Sequence, residues 1–282
     1  MSTKGQRTGA GDTLIHVVLI VWAILQLFPV VWLAASSLKP SAEIQSNVFA
    51  PPTSVYLENY NLRVFRERGI TLGIYFANST IVTTGTIILL TSVSLLAGYA
   101  LAKLQAPGKN FIIVLLVGLL GIPVHSLIIP LYYFVAQLKL LSNYWGLILP
   151  YVGFYLPFSI LLLQTFFRQF PDAILEAAKI DGAGRLQIFW SVVMPVSIGG
   201  VSTVLIINFL NVWNEFLFSL TIMKSNAAKT LPVGLMSFRG QYNVDWGPML
   251  AALFIATLPP LLFYIIFHRN IISGITAGSL RG

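Results

Sequence analysis

The sequence contains no cysteine, which removes disulfides, thiol nucleophiles and cysteine-ligated metal sites together and leaves the redox compartment unmarked. Charge is nearly as scarce: 9% of the 282 residues are Asp, Glu, Lys or Arg, where soluble domains carry about a quarter. No G-x-x-x-x-G-K-[ST] phosphate loop occurs, so the chain has no visible means of using a nucleotide itself. No His/Asp/Glu cluster or pair of acids suggests a metal site or a hydrolase. The expectation is a chain without catalysis and without a cofactor of its own.

Apolar sequence is abundant: hydrophobic residues make up 56% of the chain. Six stretches, at approximately 14–35, 74–101, 111–135, 144–167, 197–220 and 249–267, match the roughly 20 residues that a helix needs to cross a bilayer. The fold class expected is an all-α integral membrane protein with six transmembrane helices. The first stretch follows Lys4 and Arg7 and is longer than the roughly 7–15 residues of a signal core, so it reads as an uncleaved helix. A formal net charge of +8 does not imply nucleic acid. Lys and Arg fall almost evenly on the two sets of loops, which tilts only slightly toward an inside N-terminus.

Span two is rich in Ser, Thr and Gly (Ser79, Thr80, Thr83, Thr84, Gly85, Thr86), as close helix packing requires. Span three carries Gly121, Pro123 and Pro130, which predict a kinked helix beside a cavity, with His125 in the irregular part as a packing or gating residue. The loop before span two, with Arg63, Arg66, Glu67 and Arg68, suggests a short amphipathic surface helix. Tyr151, Tyr155 and Ser159 follow one another at four-residue steps, and Asn208, Asn211, Asn214 and Glu215 at steps of three, three and one. Each set lies along one helix face, too polar to leave against lipid. Two readings stand: bonds to neighbouring helices, or the lining of a translocation path for a hydroxyl-rich solute.

Between spans four and five lies a polar interruption, Pro171-Asp172-Ala173-Ile174-Leu175-Glu176-Ala177-Ala178-Lys179-Ile180-Asp181-Gly182-Ala183-Gly184-Arg185. Pro171 suits the first helical position, Asp172 and Glu176 sit toward the positive end of the helix dipole, and Gly182 and Gly184 offer left-handed backbone at the helix end. A short helix with many small side chains is a docking surface.

The run Glu176-Ala177-Ala178-Lys179-Ile180-Asp181-Gly182-Ala183-Gly184, followed by Phe189 and Met194-Pro195, resembles the E-A-A loop of the permease subunits of ATP-binding-cassette (ABC) importers. Met194 replaces the usual leucine and Gly199 stands where a second proline is common, both departures falling after the docking segment, at the entry to span five. Ser37-Leu38-Lys39-Pro40, Leu57-Glu58-Asn59-Tyr60, Ile129-Pro130-Leu131-Tyr132, Gly146-Leu147-Ile148-Leu149-Pro150-Tyr151, Trp213-Asn214-Glu215-Phe216, Thr230-Leu231-Pro232-Val233-Gly234-Leu235 and Gly274-Ile275-Thr276-Ala277-Gly278 are similar to the carbohydrate-uptake branch, the second permease of maltose-type importers.

The resemblance implies a type I importer permease fold with both termini cytoplasmic, in a bacterial or archaeal inner membrane. It divides the chain into a cytoplasmic tail (1–12), a six-helix permease domain (13–268, with the coupling loop 168–196) and a cytoplasmic C-terminal tail (269–282) that contacts ATPases in the family. It implies that Glu176, Ala177, Ala178, Asp181, Gly182 and Gly184 dock an ATPase. The partners it implies are a second homologous permease, two ATPase subunits that bind ATP and Mg, and an extracytoplasmic solute-binding protein that delivers a sugar and that the 224–246 loop approaches. The absence of Lys and Arg from the spans favours a neutral sugar over a glycerol-phosphate-type or other polyol solute. The single intramembrane carboxylate argues against an ion-coupled carrier.

Overall fold

The computed structural model describes residues 10–61, 71–105, 107–238 and 244–279, and the side chains of those between 11 and 267. Among them the regular secondary structure is helical, with no strand. The principal helices are α1 (Ala10–Ser36), α2 (Leu72–Lys103), α3 (Lys109–Leu120), α4 (Ile128–Gln137), α5 (Trp145–Arg168), α6 (Asp172–Ile180), α7 (Ile198–Trp213), α8 (Leu217–Ile222) and α9 (Trp246–Ser279). Four of them, α1, α2, α5 and the part of α9 up to Phe267, are long and apolar enough to cross a membrane. The other two expected spans are bent pairs: Lys109–Leu120 with Val124–Gln137 at 92°, and Arg185–Val196 with Ile198–Trp213 at 78°.

Each bend has a local cause. The first falls at Gly121 and Pro123, between α3 and a 3-10 turn at Val124–Leu127 that holds the exposed His125. Pro130 does not contribute to it, because it occupies the first turn of α4, where a missing N–H leaves no bond unmade. The second bend follows Pro195, whose ring would clash with the carbonyl four residues back in an α-helix. A π turn at Phe189–Val193 widens the helix just before it, and the Ser197 N–H reaches both Val193 and Met194 carbonyls at 3.1 Å. The altered Met194-Pro195 sequence thus coincides with a bend.

The fifth expected span ends early. It stops as a helix at Trp213, with Asn214 as its cap, and a new short helix, α8, begins at Leu217. Hydropathy alone does not register this stop, because Trp213, Phe216 and Leu217 surround the polar pair.

The chain divides into two compact units, Met1–Ile70 with Ser237–Thr257, and Thr71–Met236 with Leu258–Gly282. In the first, α1 exposes nearly all of its apolar surface. The chain beyond α1 folds back on polar contacts: Asn59 Nδ2 donates to the carbonyls of Ser37 at 2.8 Å and Lys39 at 2.7 Å, and Ser37 Oγ meets Tyr60 OH at 2.5 Å. The suggested surface helix around Arg63 to Arg68 lies outside the described residues, as do Arg239 and Gly240. At the C-terminus the helix continues to Ser279, well into the expected tail.

In the second unit α2 packs along α5, and α7 packs on both. Small residues bring α2 and α5 together: a methyl group on Gly98 would meet the Leu163 Cβ at 3.0 Å and the Ile160 carbonyl oxygen at 3.3 Å. Ser79, Thr83 and Thr86 are buried, in line with a packing role for that face, while Thr80 and Thr84 of the same stretch are exposed. A cavity of about 400 Å³ with an apolar lining opens between the bent α3–α4 pair and α5, bordered by Leu127, Pro130, Phe134, Pro150, Phe154 and Pro157 among others.

Candidate functional site

At one end of the second unit the polar interruption forms α6, a helix of nine residues. Pro171, with extended backbone (ψ 127), caps its start one residue ahead of the predicted position, and Asp172 and Lys179 complement the helix dipole at opposite ends. Its C-terminus closes with two bonds of the Schellman kind: the Gly182 N–H donates to the Lys179 carbonyl and the Ala183 N–H to the Ala178 carbonyl, both at 3.0 Å. Gly182 is left-handed at φ +80, and a Cβ there would meet nothing within 4 Å. Backbone conformation, and not lack of space, calls for glycine. Gly184 differs from the expectation: its backbone is extended (φ −71, ψ 160), and its carbonyl accepts the Ile188 N–H.

Leu175 is the anchor of α6. It is buried in a cluster with Leu95 of α2, Leu163, Phe167 and Phe170 at the end of α5, and Ile188, Phe189, Val193, Val201 and Val204 leading into α7. Ala178 and Ala183 pack at the rim of the same cluster. Of the predicted docking residues, Ala178 therefore faces inward, while Glu176, Ala177, Asp181, Gly182 and Gly184 are exposed. Sequence reasoning missed the apolar part of this surface: Ile174 is 47% exposed, Ile180 85% and Leu186 68%. These apolar side chains stand exposed beside the polar residues of the loop.

A second missed residue is Lys103, which sequence reading counted only as a charge. From the last turn of α2 its Nζ donates to the Phe170 carbonyl at 2.6 Å, to Asp172 Oδ1 at 2.7 Å and to the Arg168 carbonyl at 3.4 Å. The lysine side chain is 6% exposed and the aspartate 75%. The hydrogen bond from Lys103, and then its charge, hold the Asp172 carboxyl below the usual aspartate range. The bond ties α2, the end of α5 and the start of α6 at one point.

The polar residues predicted on spans four and five meet in pairs. Asn208, fully buried, donates to Ser159 Oγ at 2.8 Å and to the Val204 carbonyl at 2.9 Å. Tyr151, also buried, donates its hydroxyl to Glu215 Oε2. Glu215 lies beyond the end of α7, off the helical stripe, and its carboxylate also accepts the N–H of Phe218 at 2.8 Å and of Ser219 at 3.2 Å, which caps α8. Tyr155 is half-buried, with its ring 6.4 Å from that of Tyr151. Asn211 and Asn214 are exposed, and Asn214 Nδ2 bonds the Leu210 carbonyl of its own helix at 2.9 Å. One set of polar tips is therefore spent on joining α5 to α7 and α8, and another stays on the surface. Among the described residues no group of three His, Asp or Glu could hold a metal ion.

Comparison with known proteins gives this arrangement a family. Residues 91–276 match the model of the binding-protein-dependent transport system inner membrane component. The diacetylchitobiose uptake system permease protein NgcG of Streptomyces coelicolor is 35% identical over 94% of this chain and 88% of its own. The trehalose/maltose transport system permease protein MalG of Thermococcus litoralis is 33% identical, over 93% of this chain and 94% of its own. The trehalose transport system permease protein SugB of Mycobacterium tuberculosis is 34% identical, over 93% and 97%. A chain of a bacterial ABC transporter involved in the import of alginate superposes with a TM-score of 0.79 over 95% of this chain and 99% of that one, at 20% identity, which shows the shared fold. The chain belongs to the family of membrane permease components of binding-protein-dependent ABC transport systems.

Proposed function

We propose that this chain is the non-catalytic membrane subunit of an ATP-driven importer, forming with a second permease the path for a sugar or oligosaccharide delivered by a solute-binding protein. The observation that carries the reading is α6: a rigidly capped helix, rooted through Leu175 in the core and presenting Glu176, Ala177, Ile174 and Ile180 outward, in a chain with no phosphate loop. Two ATPase subunits holding ATP and Mg dock there, one on each permease, on the cytoplasmic side. With each bent pair counted as one crossing the chain has six spans, so both termini share that side.

When the ATPases close, α6 is pulled. Leu175 shares its cluster with the end of α5 and the start of α7, so the pull moves these helices as a body and rocks the path between inward and outward openings. The exposed Asn211 and Asn214 and the half-buried Tyr155 line the path. Tyr151, Ser159, Asn208 and Glu215 hold the lining helices in register. Relatives named for diacetylchitobiose, trehalose and maltose transport, together with amides able to donate and accept, support a neutral sugar as the solute.

The test is purification with native partners. ATPase subunits should co-purify, and sugar with its binding protein should stimulate ATP hydrolysis. Uptake into liposomes by this chain alone under an ion gradient would overturn the reading.

A further inference from the structure

We propose that the segment 48–57, which follows α1 and a short helix at Ser41–Ser46, is a lipid anchor: it lies in the interfacial layer of the bilayer with its apolar side chains among the lipids. The inference rests on α1 crossing the membrane, as the permease reading requires. That reading makes the layer the border of the outer leaflet.

The exposed side chains of the segment are large and apolar or aromatic: Val48, Phe49 (75%), Val55 (68%), Tyr56 and Leu57 (64%). They are not carried on a slack loop. The Trp32 Nε1–H donates to the Val48 carbonyl at 3.0 Å, and the Phe49 ring lies 6.3 Å from the Trp32 ring. Trp32 stands four residues before the end of α1, about 6 Å of helix, so the chain folds back and sets Phe49 beside the last turn of an apolar span. The Tyr56 N–H donates to the Leu38 carbonyl at 2.9 Å, which fixes the other end of the segment.

The backbone is suited to a layer with little water, where an unbonded N–H is costly. Pro51 and Pro52 have none to leave unbonded. The Ala50 N–H donates to Asn47 Oδ1 at 3.2 Å, and the Thr53 N–H to Glu43 Oε1 at 3.0 Å. Glu43 Oε2 also accepts the Thr53 hydroxyl at 3.0 Å, so the carboxylate ahead of the segment is turned onto the segment itself. From Ile44 to Leu57 no residue is charged. Trp32, Phe49 and Tyr56 together have the composition of the membrane border, where aromatic rings with one polar tip collect.

A helix of another membrane subunit would fit this region less well. Such contacts use small residues, and from Leu14 to Ala35 helix α1 has no Gly, Ser or Thr and only Ala23, Ala34 and Ala35 as small side chains. Its bulky residues are exposed on all sides, and the segment continues that surface. A soluble protein would have to reach Phe49 beside the last turn of a lipid-facing helix. Lipid meets Phe49 there without any rearrangement, and holding the segment in the border layer fixes the depth of the end of α1.

The test uses the importer assembled with cysteine-free partner subunits in nanodiscs. Because this chain has no cysteine of its own, Phe49→Cys, Val55→Cys, Ile24→Cys in the middle of α1 and Gln45→Cys on the short helix each carry a single NBD fluorophore; all four side chains are exposed. Unchanged ATP hydrolysis checks assembly. Quenching is measured with nitroxide lipids labelled near the headgroup, with nitroxide lipids labelled deep in the chain, and with iodide in the water. Interfacial segments sit about 5–10 Å into the headgroup and acyl boundary, so shallow nitroxide should quench the labels at 49 and 55 at least about threefold more than the label at 45, with iodide showing the reverse order. Iodide quenching at 49 and 55 equal to that at 45 places the segment in water and overturns the anchor. Protection of both labels from lipid and iodide alike means a protein cover and overturns it too. A label at 24 that iodide reaches and deep nitroxide does not would instead sink α1 as a span, and the permease reading with it.

Discussion

At the residue scale, Gly182 and Lys103 make distinct demands. A side chain on Gly182 has room within this chain but must adopt φ +80, which costs roughly 1–2 kcal/mol for most residues and more for a β-branched one. Gly182→Val should therefore cut ATP-dependent uptake at least about tenfold while the protein still inserts, and Gly182→Asn should retain most of it; equal activity of the two variants would refute the backbone argument. Lys103 bonds two carbonyls besides Asp172. Lys103→Met should weaken ATPase co-purification more than Asp172→Asn, a comparison made by quantifying bound ATPase per permease. The Asp172 carboxyl is held below its ordinary value, so its contribution is complete above the unfolded value of ~3.9 and fades as pH falls through the lower folded value. Between pH 6 and 8 the link should therefore be constant. Thermal melts of wild type and Asp172→Asn should run parallel in that window and converge only on strong acidification.

At the scale of elements, the polar seam between α5 and the α7–α8 segment is where sequence and structure part. The long helices were legible because membrane-length apolar runs have few alternatives, and the bend at Gly121 and Pro123 follows from backbone chemistry. The α6 helix was legible through Pro171, its charges and Gly182. The end of α7 at Trp213 was not, because the polar residue just beyond it, Glu215, is engaged with Tyr151 from a distant helix and with the α8 N–H groups, and a four-residue step shows a shared face without showing its partner. Lys103 was hidden for the same reason: its partners lie 65 to 69 residues on. Glu215→Gln tests the seam. The amide would turn a donor toward the N–H groups of Phe218 and Ser219 or toward the Tyr151 hydroxyl, leaving buried groups unpaired at about 1–3 kcal/mol. A fall in melting temperature of the purified protein is expected, larger than for Tyr151→Phe, which leaves the α8 cap intact. A ranking in the opposite order would place the seam's strength in the tyrosine.

At the scale of the whole molecule, the two ends of α2 must lie on opposite sides of the bilayer if the bent pairs are single spans. A helix of 32 residues is longer than the roughly 20 needed to cross, and its ends carry surfaces of different kinds: α6 with Glu176 and exposed isoleucines, and the loops with Lys139 and Lys224. The absence of cysteine makes this directly measurable, since any single introduced thiol is the only one present. Ala177 on α6 and Asn226 in the far loop are both exposed, so Ala177→Cys and Asn226→Cys should fold. A membrane-impermeant maleimide added to intact cells should label Asn226→Cys and leave Ala177→Cys untouched. In inverted vesicles the pattern should reverse, and Ala177→Cys should react fully only after the ATPase subunits are stripped away. Labelling of both positions from one side would mean that an odd number of crossings fails between residues 177 and 226, which the 78° bend at Ser197 makes the point of greatest risk. The Arg185–Val196 segment would then lie along the membrane surface with α7 re-entering from the same face, and the coupling helix would no longer be opposed to the loops of Lys139 and Lys224.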